Sequence, residues 1–323
     1  MAGTTALRGA YERTELFRNQ VAVAKLAGSE LCGSGRLMLV HDAASGVAAE
    51  QVKRNLGGAD TFKTIQKALN ATRSGLNDYI FLMPKDSGAS WSHAVDLTLD
   101  AKDFIHLIGL TLANEKPHIF FSTANKLLIG GTGACVGLEL ANIKLTNDAT
   151  DSPALELASG LRCFIHDCII AAKTTATMDV EDATREALYK RCQFGDNVAH
   201  NVVKQYVDSV NQSRTIWEDC LFLNAAAAGT DVFIEVHAAS IVNIARRCMF
   251  WNNSGGTTDM AQAFTNAIML AEYCTFWGVT ELDDAASKTW FAPTGVGRLA
   301  AAGDVYNPGI AVDANGIIEA TDN

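Results

Sequence analysis

The chain has no apolar run approaching the ~20 residues needed to span a membrane as a helix, and no excess of basic charge. With 26 Lys and Arg against 36 Asp and Glu, its formal charge is −10. No Lys/Arg cluster offsets that balance, so a surface that binds nucleic acid by neutralising phosphates is excluded as an expectation. The first residues, Met-Ala-Gly-Thr-Thr-Ala-Leu-Arg, lack the basic-then-apolar layout of a secretory signal, and export by the general pathway is not expected. The seven histidines are scattered, and no two have the close spacing of a metal-ligating pair. What remains is ordinary globular composition, 48% hydrophobic and 19% charged.

What is present is a repeated phrase. Ile165-His-Asp-Cys-Ile-Ile170, Tyr189-Lys-Arg-Cys-Gln-Phe194, Trp217-Glu-Asp-Cys-Leu-Phe222, Ala245-Arg-Arg-Cys-Met-Phe250 and Ala271-Glu-Tyr-Cys-Thr-Phe276 follow one another with Cys-to-Cys steps of 24, 28, 28 and 26 residues. Periods of this length are the mark of a solenoid, in which each unit buries its apolar side only by stacking on neighbours. Within Cys220-Leu221-Phe222 the first and third residues share one face of a strand and the second points away, so Cys and Phe are assigned inward. The polar pair before each Cys suits an exposed two-residue bend between strands, and the residue before that pair points inward again. Turn formers such as Gly195-Asp196-Asn197, Asn252-Asn253 and Gly278 close each strand. The rhythm continues more weakly upstream in Asn142-Ile-Lys-Leu145, Lys126-Leu-Leu-Ile129 and Asp103-Phe-Ile-His-Leu-Ile-Gly109. Two strands and a bend per coil, with a third strand in the variable part, predict a parallel β-helix. About eight to ten coils fit, a rod on the order of 40–50 Å at ~4.8 Å per coil.

The apolar positions of residues 11–26 fit a short helix or an extended arm. Arg36-Leu-Met-Leu-Val40 reads as a first strand, followed by a polar loop through Gly57-Gly58. In residues 61–71 the apolar residues Phe62, Ile65, Ala68 and Leu69 fall on one helical face. Tyr79-Ile-Phe-Leu-Met-Pro84 follows as a buried strand. A helix here closes the open end of the stack and protects its sheet edge. After about Thr289 the rhythm stops, and the stretch from Pro293 to Asn323 reads as an extended tail whose last residues are able to pair with the rod or a neighbour. The domain division is an amino-terminal arm at 1–35, a β-helix domain at 36–288 and a tail at 289–323.

The helix-then-strand run of residues 61–84, followed by the coil at 95–109, resembles the start of the right-handed parallel β-helix superfamily, the pectate-lyase-like fold. The downstream phrases resemble that family's Asn-Cys-x-Phe coils, with Asp167, Arg191, Asp219, Arg247 and Tyr273 where Asn is common. The resemblance runs from about 36 to 280 and implies an all-β, right-handed parallel β-helix solenoid with an N-terminal capping helix and irregular N- and C-terminal arms. Enzymes of the family that cut acidic polysaccharides carry paired aspartates, or a calcium site with a nearby Arg or Lys, on an outward face. The hydrolase branch's Asn-Thr-Asp, Asp-Asp, Gly-His-Gly and Arg-Ile-Lys series is absent. Asp283-Asp284 is the one adjacent aspartate pair and falls past the last clear coil.

Three features compete for a site. The bend pairs alternate in sign along the stack, so Glu218, Asp219 and Arg247 suit either a calcium or lyase site or, preferred here, a ladder of ion pairs between coils that helps fix which coil stacks on which. Gly130-Gly131-Thr132-Gly133 superficially resembles a phosphate loop but lacks the following Lys-Ser/Thr and helix, and is read as a turn between coils. If Cys and Phe point inward, then Ile169, Leu221 and Met249 point outward, with Leu223, Trp251 and Trp277 at one equivalent position just beyond. Such a stripe exceeds what a monomer usually exposes. It is assigned as a contact between protomers or within an assembly, with surface carbohydrate stacking or a covering arm as alternatives. Five of the eight cysteines occupy the repeated position and are expected as free thiols.

A non-enzymatic structural role follows as the expectation: a homo-oligomer, trimer favoured, that contacts other virion proteins such as a capsid protein. Chains of this superfamily with an unexported start and long arms look most like virion components of tailed bacteriophages, namely head decoration proteins, capsid fibres or tail spikes. That places the chain on a capsid or tail surface after synthesis in host cytoplasm. The alternative is a polysaccharide lyase or glycoside hydrolase of tail-spike depolymerase type acting on acidic glycans. No cofactor, metal ligand, nucleic acid or membrane is assigned.

Overall fold

The computed structural model describes residues 35–299 except the segments 43–45, 56–58, 86–88, 112–114, 150–151, 173–177, 181–184, 196–202, 206–212, 225–229, 237–240, 253–256, 264–267, 280–287 and 293–297, together with 310–312 and 318–320. The amino-terminal arm, Asp283-Asp284 and most of the tail lie outside the described residues.

Among the described residues, three long sheets of twelve, nine and seven strands build the rod. Sheet A carries the strand before each bend, such as Gly160–His166, Ser213–Glu218 and Ile241–Arg246. Sheet B carries the strand after it, such as Ile169–Ala172, Leu221–Asn224 and Met249–Asn252. Sheet C carries the third strand, such as Leu155–Leu157 and Thr230–Val236. Each strand pairs in parallel with its counterpart one coil away, Leu221 opposite Met249 and Met249 opposite Thr275 for example. This is a parallel β-helix, as the repeat predicted.

The repeat phrases stack in register, so like residues meet. Phe194, Phe222, Phe250 and Phe276 are fully buried, and their rings stack with centroids 5.2, 4.7 and 5.3 Å apart in succession. Trp217 lies face to face with Tyr189 at 4.2 Å and meets Phe222 edge-on. Close aromatic stacks of this geometry add dispersion to the burial itself. The cysteines at 168, 192, 220, 248 and 274 form the adjoining buried column. All seven described cysteines are free.

The bend lies one residue later than the sequence reading placed it. The first polar residue of each pair ends a sheet A strand, as His166, Lys190, Glu218, Arg246 and Glu272 do. The turn is made by the second polar residue and the Cys. Asn142, Asp167, Arg191, Asp219, Arg247 and Tyr273 all adopt the left-handed region, with φ between 50° and 56°. Asn and Asp visit this region readily, whereas Arg and Tyr do so at a cost.

At the amino-terminal end, the helix Ile65–Ala71 is capped by Thr64 and buries Ile65, Ala68 and Leu69. It is shorter than the sequence implied, because Phe62 belongs to the strand Asp60–Phe62. Gln66 mimics a peptide group toward the edge strand Leu97–Leu99: its Nε2 donates to the Thr98 carbonyl at 3.1 Å, and its Oε1 accepts from the Thr98 N–H at 2.9 Å. The edge is thereby blunted. Lys102 Nζ donates to the carbonyls of Leu69, Asn70 and Thr72 at 3.0, 3.0 and 2.7 Å, satisfying the open end of the helix.

Two expectations are corrected. The stretch after Val40, read as a polar loop, contains the helix Gly46–Asn55. Its Ala49 and Val52 pack outside the sheet against Leu37, Leu39, Phe81 and Met83, so the first strand is buried on both faces. Pairing also continues past residue 288: Lys288–Ala292 pairs with Ile268–Glu272, and Arg298–Leu299 with Thr275–Val279. In the tail, Ile310–Val312 and Ile318–Ala320 pair with each other, antiparallel.

Phe250→Ala removes the middle of the ring stack. It is expected to destabilise the protein by about 3–5 kcal/mol, the usual cost of emptying a buried aromatic site, read from denaturant unfolding; Phe250→Leu is expected to cost less.

Candidate functional site: a charged bend ladder and an aromatic stripe

Each bend is tied to the next coil by its backbone. The N–H groups of Asn142, Asp167, Arg191, Asp219 and Arg247 donate to the carbonyls of His166, Lys190, Glu218, Arg246 and Glu272 at 2.8–3.0 Å. The thiols reach the other way. Cys192, Cys220, Cys248 and Cys274 donate to the carbonyls of Ile165, Tyr189, Trp217 and Ala245 in the preceding coil at 3.4–3.5 Å. A cysteine therefore fills this position as a small buried group that also supplies a weak donor, a role the sequence reading missed.

The side chains follow the same register. Arg191 grips Asp167 through Nε and Nη2 at 2.8 and 2.7 Å. Arg247 grips Asp219 at 2.7 and 3.1 Å and reaches Glu218 at 2.5 Å. Lys190 pairs with Glu218 at 2.9 Å, and Arg246 with Glu272 at 2.5 Å. Hydrogen bonds from Lys190 and Arg247 hold the Glu218 carboxyl below its ordinary range, and Arg247 does the same for Asp219. Glu218, Asp219 and Arg247 thus form the ion-pair ladder preferred from the sequence, with both carboxylates engaged by Arg247. Solvent screens these exposed pairs, so their main effect is on coil register. Among the described residues no group of three or more His, Cys, Asp or Glu is arranged to hold a metal ion. No helix there is long and apolar enough to cross a membrane.

Upstream, the ladder becomes a mixed chain that sequence reading did not assemble. His106 Nδ1 lies 2.6 Å from Glu139 Oε2, Glu139 Oε1 2.8 Å from His166 Nε2, and His166 Nδ1 2.7 Å from Asp167 Oδ2. Tyr79 stacks on His106 and Phe164 on His166, with centroids 4.2 and 4.3 Å apart. Burial works against ionisation of Glu139, but the two histidines outweigh it and bring its pKa down to about 2. Arg191, then His166, brings Asp167 to about 2 as well. His166 is raised, because its two carboxylate partners overcome the penalty of burial. His106 and Glu139 are register partners but lie 33 residues apart in the sequence. Only the sheet pairing puts them together.

The Gly130–Gly133 stretch is the turn expected. Gly130, at φ 76°, passes so close to the next coil that a Cβ would lie 2.0 Å from the Ser159 carbonyl oxygen. The turn is held by Asp100, which accepts from the Thr132 N–H and hydroxyl at 2.9 and 3.1 Å.

The outward residues fall in two columns on sheet B. Ile169, Gln193, Leu221, Met249 and Thr275 make one; Leu223, Trp251 and Trp277 make the other. Leu221, Leu223 and Met249 are half-buried, while Trp251 and Trp277 are 37% and 53% exposed. Ile169 shares the face but is cut off from the rest by Gln193, so the apolar patch is shorter than the six residues named from the sequence. Tyr273, on the bend of the Trp277 coil, is also exposed.

No family model matches the chain, and no curated protein matches it. Two solved structures are similar to it over part of its length. One is a pectin methylesterase mutant in complex with a hexasaccharide, at TM-score 0.37 and 13% identity, covering 78% of this chain and 80% of that one. The other is ORF18 of Geobacillus virus E2, at TM-score 0.36 and 11% identity, covering 73% of this chain and 57% of that one. Likenesses of this size carry no argument about activity. The class of protein is set by the chain's own geometry, a parallel β-helix solenoid.

Glu139 ties acid stability to this chain of groups. Its folded pKa lies below its ordinary 4.5, so its stabilisation is present above that value and is lost as pH falls toward about 2. His166 is shifted up, so its contribution is full below its ordinary pKa and fades as pH rises through the raised one. In thermal melts followed by circular dichroism, Glu139→Gln is expected to be less stable than wild type at neutral pH. The gap is expected to narrow only as pH falls below the ordinary 4.5 of a glutamate toward about 2, and a gap that stays constant over that range would rule out this linkage.

Proposed function

We propose that this protein is a non-enzymatic structural component, a β-helix rod that assembles with copies of itself through its outward stripe. The observation that carries the reading is the in-register exposure of Trp251 and Trp277 beside Leu221, Leu223 and Met249. Aromatic groups clustered on an otherwise charged surface leave water favourably when a partner covers them. The stripe runs along the rod axis, which suits rods packed side by side, and a trimer closes such a contact with one repeated surface. The ion-pair ladder supports the same reading, because its charges face one another across coils and stiffen the rod.

The sequence resemblance to virion components of tailed bacteriophages supports a place on a capsid or tail surface, with a capsid protein among the partners. Surface carbohydrate is the other occupant that a tryptophan pair suits. The enzymatic alternative, a lyase or hydrolase acting on acidic glycans, draws on His166, a histidine of raised pKa between Glu139 and Asp167, since imidazole near neutrality is a competent acid–base group.

Light scattering on a sizing column is expected to give a trimer or a larger assembly for the native chain, and a monomer for Trp251→Asp with its circular dichroism unchanged. An unaltered mass in that variant would sink the contact. Release of unsaturated or reducing ends from acidic polysaccharides, abolished by His166→Ala, would establish the enzymatic alternative instead.

A further inference from the structure

The amino-terminal end of the rod holds a cavity of about 440 Å3 that the assembly reading does not use. It opens where the start of the capping helix, the segment after Asp78–Leu82 and the strand Trp91–His93 converge, and Lys63, Thr64, Lys85, Trp91, Ser92 and His93 line it. Both lysines lack a carboxylate partner among the described residues. Lys63 Nζ lies 3.4 Å from each ring nitrogen of the buried His41. The His41 Nδ1 sits 2.7 Å from the Asp42 carbonyl and must donate there, which leaves Nε2 as the acceptor for the ammonium. Lys85 Nζ stands 5.2 Å over the Trp91 ring, and that ring is fixed by its own N–H bond to the Met83 carbonyl at 2.9 Å.

The third feature is an unsatisfied group. His93 Nε2 is buried and has no hydrogen-bond partner, a condition native structures seldom leave without a use. Burial, with Lys85 nearby, keeps this imidazole below its ordinary pKa, so at neutral pH it is an uncharged ring able to donate or accept. Elsewhere in the lining, the Thr64 oxygen accepts from the Lys67 N–H at 3.4 Å, leaving its O–H to donate. Ser92 Oγ is 3.3 Å from Ser90 Oγ. Asp42 also lines the cavity and is the one carboxylate among its described lining residues, against two ammonium groups.

We propose that this cavity binds a small molecule bearing an oxyanion group, phosphate or carboxylate, held between the Lys63 and Lys85 ammonium groups, with its polar edge toward His93 and the Thr64 and Ser92 hydroxyls. Two ammonium groups lining one concave site are an arrangement that favours a dianion. The volume is that of a metabolite-sized pocket, not a polymer groove.

The test is calorimetric titration of the full chain with inorganic phosphate and, separately, with citrate at constant ionic strength, alongside nitrogen-detected NMR of the histidine rings. Saturable one-to-one binding of at least one anion is expected, with the His93 ring signal shifting along the same isotherm. Lys63→Gln and Lys85→Gln are each expected to weaken it by about tenfold. Should Lys63→Gln unfold the end of the rod, Lys85→Gln carries the test, because its ammonium stands over the Trp91 ring and not against the buried His41. A response to phosphate alone or to citrate alone supports the site and assigns its source. Absence of saturable binding by both, or binding undiminished in Lys85→Gln, would overturn the proposal.

Discussion

Everything in this molecule depends on the bend stacking directly on the bend of the next coil. The left-handed residue turns the chain between sheets A and B, its N–H bonds to the coil above, and the following Cys thiol bonds to the coil below. A one-residue slip would send every Phe of the ring stack to solvent and every outward residue into the core. The strain of placing Arg191 and Arg247 at positive φ is tolerated because hydrogen bonds on both sides over-determine the turn.

Once that register is set, surface chemistry follows from it. Residues 24–28 apart in sequence become neighbours, and a run of alternating charge becomes a ladder of opposed pairs. The same pairing lines up Leu223, Trp251 and Trp277. It also carries the ladder over into the His106–Glu139–His166–Asp167 chain, where half-burial makes the interactions strong enough to move pKa values substantially. The rod is therefore weakly held by any single surface pair, and its specificity lies in the repetition.

Much of the fold was legible because Cys-x-Phe repeats with one spacing and one inward face. The ring stack, the inward residue before each bend, the ion pairs and the Trp251–Trp277 column all follow from that alternation. The helix Gly46–Asn55 was not legible, since the described residues that mark its buried side, Ala49 and Val52, are not large. The bend was misplaced by one residue because polarity does not distinguish the exposed end of a strand from a turn; backbone dihedrals do. The last two strands of the rod, Lys288–Ala292 and Arg298–Leu299, carry no Cys-x-Phe phrase, so periodicity had nothing to count.

The sequence by itself determined the architecture, because a period-two pattern nested in a repeat of roughly 26 residues admits few arrangements that bury every Phe. It also determined which residues face outward. Only the tertiary structure decided what those residues meet: Gln193 interrupting the stripe before Ile169, Glu139 between two histidines, and Lys63, Lys85 and His93 lining one cavity. Those meetings depend on coil lengths that vary from turn to turn, and contact between distant residues is a property of how the coils stack, not of any local pattern.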